Sequence, residues 1–168
     1  MNKLLIVINL QNDFIVGSLS NSETKRVAIE ILKYIKSYKG TIMYIRDTHE
    51  HGYLDTEEGK ELPVLHCFKG SEGWKLIDDI KLKPSDIVMN KHQFTCYDLL
   101  TYLKATNTTE VELCGFQTGN DIISNATFIK NLLPKVNIKV HEKLCACNTI
   151  ESHQSAIDTM RAFQITII

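Results

Sequence analysis

Residues 4–8 (LLIVI) are apolar at every position and rich in β-branched side chains, with no alternation of polar and apolar residues. A strand with one wet face alternates; a strand apolar throughout is buried on both faces, as in a parallel sheet covered by helices. The same signal returns along the chain. Segments 41–45, 86–90, 110–115, 137–141 and 164–168 read as further strands, and 23–38, 97–105, 121–133 and 149–163 carry helical spacing between them. The first of these helices places Val27, Ile29, Ile31, Leu32 and Ile35 on one stripe, with Ser22 as its expected N-cap. Strands alternating with helices predict an α/β fold: three layers, with a parallel sheet of about six strands and helices on both faces.

No internal repeat or linker-like stretch divides the 168 residues, so one domain over 1–168 is expected. With 43% apolar and 23% charged residues, the chain lies outside the disordered and fibrous classes. A net charge of -1 provides no broad positive field, which argues against nucleic acid as a partner. Five cysteines without a CxxC pair favour a reducing, cytoplasmic setting. No segment approaches the roughly 18 apolar residues of a membrane span.

In an open parallel sheet, ligands bind outside the carboxyl ends of the strands. That rule selects Asn9, Gln11 and Asp13 after the first strand, Asp47 and His49 after the second, and Lys91 after the third. It also selects 118–121 after the fourth strand and 142–148 after the fifth. The segment 46–76 has no sustained periodicity, and an unpatterned loop of that length in a compact domain points to function. Asp47, His49 and His66 form a ligand set suited to zinc, iron or manganese, with His51 either a fourth ligand or a surface residue. Lys91 at a strand end is either a solvated lysine or one that steadies negative charge. Phe14 and Trp74 are candidate pocket walls for a small flat ligand, or simple packing residues. In 115–121 (GFQTGND), a tight strand-to-helix turn presents free N–H groups; Thr118 or Asn120 alternatively serves only as an N-cap.

Taken in order, VINLQNDF (7–14), RDTH (46–49), LPVLHCFKGSEGW (62–74), NKHQF (90–94), GFQTGNDIISNA (115–126) and ESHQSAIDTM (151–160) resemble the isochorismatase-like hydrolase superfamily, in particular its nicotinamidase-like cysteine hydrolases. The resemblance spans essentially the whole chain. It implies a divalent metal on Asp47, His49 and His66, a catalytic role for Lys91, and homo-oligomerisation. It also implies a non-proline cis peptide between Phe116 and Gln117, with the N–H groups of Gln117 and Asp121 forming an oxyanion hole.

Two positions depart from the family pattern. The catalytic aspartate is Asn9 here and the cysteine nucleophile is Asp121, so the catalytic positions read Asn9, Lys91 and Asp121. The net charge of those three positions is the same as in the family, and Asp121 is expected to partner Lys91. Asn9 cannot accept a proton, and a carboxylate is a poorer nucleophile than a thiolate toward an amide. The expected function is therefore that of a family built to hydrolyse small amides, catalytically impaired but keeping a pocket for metal and an amide or aromatic carboxylate-like ligand. Phe14, Trp74, Phe116 and Gln117 would line that pocket. The alternative is a repurposed hydrolase using Asp121 and Lys91 with a metal-bound water, and a further one has Cys67 or Cys96 take over as nucleophile.

Overall fold

In the computed structural model, which describes residues 2–168, one sheet contains β1 (Lys3–Ile8), β2 (Thr41–Asp47), β3 (Ile87–Lys91), β4 (Glu110–Phe116), β5 (Asn137–Ala146) and β6 (Thr166–Ile167). All pairings are parallel, in the order β3-β2-β1-β4-β5-β6. The helices are α1 (Asn12–Ile15), α2 (Ser22–Ser37), α3 (Glu57–Glu61), α4 (Asp98–Ala105), α5 (Ile123–Leu132) and α6 (Ile150–Ala162), and they cover both faces. A π turn, Thr118–Ile122, joins β4 to α5. The core is built from the runs that sequence marked: Leu4 to Ile8 and the whole of β4 are buried.

Strand order reverses between β1 and β4, and at such a switch point the two outgoing loops diverge and leave a crevice. Residues after Ile8 and after Phe116 therefore face each other. Gly115 makes the close approach possible, since at φ +127 a Cβ would sit 2.0 Å from the carbonyl oxygen of Ile8.

Several sequence expectations are corrected. Asn21, not Ser22, caps α2, in a reciprocal box with Thr24. Strand β5 runs past 141 to Ala146 across an irregularity in its pairing with β4, so 142–146 lie within the strand. The polar residues in HEK hide that continuation from a reading based on apolar runs. The last strand is only Thr166–Ile167, and residues 118–122 form the π turn where a helix from 121 was expected. Segment 46–76 contains a 3-10 turn, Tyr53–Asp55, and the short α3. Among the described residues, no helix is long and apolar enough to cross a membrane.

Candidate active site

Lys91 ends β3 in register with Asp47, which ends β2, so both side chains leave the sheet on the same side. Lys91 is 3% exposed, and its Nζ lies 2.8 Å from Asp47 Oδ1. The long stem carries the ammonium on across the switch point, where it also pairs with Asp121 Oδ1 from the π turn. Asn125 steadies that turn, its Nδ2 donating to the Asp121 and Phe94 carbonyls while its Oδ1 accepts from Cys96 N. Asn9 sits at the end of β1, at φ 59 and fully buried, with neither amide atom hydrogen-bonded to protein.

The charges in this group are interdependent. Burial opposes ionisation of Asp47, but the Lys91 ammonium and the His49 and His66 imidazoles outweigh it and hold the carboxyl well below its usual range. Burial pushes Asp121 up to about 6, against the pull of Lys91 and with the Asp47 charge adding to the rise. For Lys91 burial favours the neutral amine, yet the Asp121 and Asp47 carboxylates prevail and raise it. Asp47 thus stays ionised and anchors Lys91, while Asp121 holds its proton more readily than an ordinary carboxyl.

The other Asp47 oxygen faces the imidazoles. Oδ2 lies 3.2 Å from His49 Nε2 and 3.5 Å from His66 Nε2, and the two Nε2 atoms are 3.1 Å apart. Ligands about 2.1 Å from one cation at tetrahedral angles are separated by about 3.4 Å, so these three atoms already lie at nearly the spacing a zinc-like ion requires. His66 Nδ1 is fixed by the Val64 carbonyl at 2.7 Å, which directs Nε2 inward. The residues fit a divalent cation, and among the described residues they form the cluster with metal-ligand spacing. The His51 ring instead packs against Phe68. Two neighbours gave no sequence signal. The Tyr53 ring packs on both imidazoles, and Glu58 Oε1 approaches His49 Nε2 to 4.0 Å. The N-cap pattern of Thr56 followed by Glu57 and Glu58 could have located α3, though not its distance from His49.

The segment 9–14 acts as scaffolding. Gln11 accepts from Asp47 N with Oε1 and donates with Nε2 to the Asp47 and Trp74 carbonyls, clamping the metal-type strand end to β1. Asp13 Oδ2 accepts from Cys67 N at 2.7 Å and thereby sets the position of His66.

Among the predicted pocket residues, Phe14 and Phe116 meet, while Trp74 and Gln117 are held by other partners. Phe14 and Phe116 are core residues stacked on each other at 6.1 Å. The Trp74 indole donates to Thr48 Oγ1 and lies under the Arg46 guanidinium, 3.7 Å away. Gln117 engages the residues after β5, with Nε2 donating to Asn148 Oδ1 and Oε1 accepting from Cys147 Sγ. The bond between Phe116 and Gln117 is trans, contrary to expectation, and Gln117 itself takes φ 64. Cys67 and Cys96 are buried, and burial raises both thiols, so neither offers a ready thiolate.

A parallel sheet with a switch point, an Asp/His/His set and a buried lysine between carboxylates defines an α/β protein with a charged, metal-type centre at its strand ends. More specifically, the isochorismatase domain family matches residues 3–168, and the chain belongs to that family. Among solved structures, pyrazinamidase of Pyrococcus horikoshii in complex with zinc superposes with a TM-score of 0.86 at 19% identity, covering 100% of this chain and 99% of that one. Pyrazinamidase/nicotinamidase of Streptococcus mutans UA159 gives 0.86 at 24% identity, with 99% of each chain covered. N-carbamoylsarcosine amidase of Thermoplasma acidophilum gives 0.83 at 22%, covering 99% of this chain and 95% of that one. At these identities the likeness is one of fold. No match is found among curated proteins.

Proposed function

We propose that this protein binds a small amide or aromatic carboxylate-like molecule and a divalent cation at the strand ends, and that it does not turn amides over. The observation that carries this reading is the Lys91 ammonium held between two carboxylates, Asp47 and Asp121, where a nucleophilic hydrolase needs a thiol beside a base. Asn9 has no basic atom to take a proton, and the Asp121 carboxylate is engaged by Lys91. Losing a covalent nucleophile costs several powers of ten in rate in other hydrolases. The unpartnered Asn9 amide remains able to donate to and accept from a bound carboxamide. Asp47, His49 and His66 would hold the cation, which when bound supplies Lewis acidity. The zinc carried by the Pyrococcus horikoshii structure supports that assignment.

The test is ammonia release from nicotinamide and a panel of small amides, comparing the zinc-loaded protein with the Asn9→Asp, Asp121→Cys double variant. A silent native protein and an active double variant support the reading; ammonia release by the native protein overturns it.

One observation favours a second reading. Asp121 pairs with Lys91 from the π turn, and burial raises its carboxyl above the ordinary range, so it holds a proton more readily than a free carboxylate, as a general acid–base requires. In a repurposed hydrolase Asp121 would take the proton of an attacking water while Lys91 steadies the charge that develops. Turnover that disappears in Asp121→Asn and on chelation would establish it; turnover surviving both would reject it.

A further inference from the structure

The outer face of α5 differs from those of α2 and α6. A helix that lies on a sheet and faces water carries charge on its wet side. Helix α2 does so with Glu23, Arg26, Glu30 and Lys33, and α6 with Glu151, Asp158 and Arg161. In α5, Lys130 is the one charged side chain, and its Nζ donates to the Gln164 carbonyl at 3.3 Å. The segment 92–97, tied to α5 through Asn125, contains no carboxylate, lysine or arginine.

Large apolar side chains stand where the charges are missing. Tyr97 is 68% exposed, Leu132 48% and Phe94 40%, and the Tyr97 ring meets the Phe128 ring edge to face at 5.7 Å. Beside that ring pair lies a cleft of about 520 Å³, lined by Thr95, Ser124, Thr127, Phe128, Asn131 and Leu132. A projecting aromatic thus adjoins a concave, uncharged lining on one surface. Exposed apolar patches with a polar rim mark protein–protein contacts, and charge is depleted at their centres. The missing charge also selects the partner. Across a two-fold axis a patch meets its own copy, so like charges oppose each other unless the patch has none. This one has none, and it offers both the knob and the hole that such a contact exchanges. A partner steered by charge would find no ion here to pair with.

We propose that the face formed by Phe94, Tyr97, Phe128 and Leu132 docks a second copy of this chain, with Tyr97 of each copy seated in the cleft of the other. The contact backs onto the Lys91 centre. Asn125, on the inner side of the same helix, donates to the Phe94 and Asp121 carbonyls. Burying Phe94 in a dimer therefore steadies, through Asn125, the π turn that carries Asp121.

The experiment measures the mass of the purified native protein by sedimentation velocity across the micromolar range. Twice the 19.2 kDa of the chain is expected. Tyr97→Glu and Leu132→Glu, both at exposed positions, should each give a folded monomer, the dissociation constant rising about thirtyfold or more. Ile29→Glu, at an exposed apolar position of α2, should leave the dimer intact. A second measurement needs no variant that dissociates: p-benzoylphenylalanine in place of Tyr97 is irradiated, and the covalent dimer is mapped by mass spectrometry. Its cross-link should join position 97 of one copy to residues 124–132 of the other. A dimer that survives both Tyr97→Glu and Leu132→Glu, one that dissociates in folded Ile29→Glu, or cross-links to another surface would each overturn the proposal. A monomer throughout would overturn it in favour of a different protein as the occupant.

Discussion

A lysine ammonium removed from water persists only with charge and hydrogen-bond compensation, and Lys91 receives it from Asp47 and Asp121 together. Asp121→Ala leaves one carboxylate to balance the buried ammonium, and a loss of about 3 kcal/mol in urea unfolding is expected. Asp121 also imposes a pH dependence. Its folded carboxyl titrates at about 6 against 3.8 for an unperturbed one, so its contribution is fully present below 3.8 and is lost as pH rises through about 6. Asp47 behaves in the opposite sense, its contribution disappearing only as pH falls below the ordinary carboxylate range. In chelator, the native protein should lose stability relative to Asp121→Asn between about pH 4 and about pH 6. Parallel pH profiles for the two proteins would show that Asp121 does not titrate there.

At the scale of elements, short polar segments position the site and buried strands fix the geometry around it. Asp13→Asn keeps the side-chain size but weakens the charged acceptor for Cys67 N, and should cost about 2 kcal/mol while also loosening zinc binding, because His66 adjoins Cys67. Calorimetric zinc titration of the folded variant checks the second effect. Gly115→Ala is expected to be severe, more than about 4 kcal/mol, because the new Cβ meets the Ile8 backbone at a φ few other residues adopt. Loss of soluble, cooperatively melting protein is the readout. At this scale the sequence is informative wherever burial is two-sided: LLIVI and EVELC read directly as strands. It misleads where pairing continues through polar residues, as in HEK of β5, since main-chain hydrogen bonds there do not require apolar side chains.

The molecule as a whole gathers Asp47, His49 and His66 at one end of the sheet, and cation binding should couple to its stability. Zinc at about 100 times its dissociation constant should stabilise the fold by about 2.7 kcal/mol, read as a rise in melting temperature that is lost in His49→Ala and His66→Ala. The metal-type set was legible because Asp47 and His49 leave one strand end and the returning loop brings His66 back to them. The contact of Lys91 with Asp47, 44 positions away, was not legible, and neither were the rotation of Gln117 toward Asn148 or the approach of Glu58 to His49. By itself the sequence determined the order of buried strands and helices, the three-layer class, and which polar residues lie at the carboxyl ends. Those follow from local periodicity and from the need to bury apolar runs on both faces. The tertiary structure alone decided which of those polar residues touch, which charge stays ionised and which aromatic side chains stay exposed, because contacts and desolvation depend on strand order and side-chain rotation, neither of which is written in local pattern.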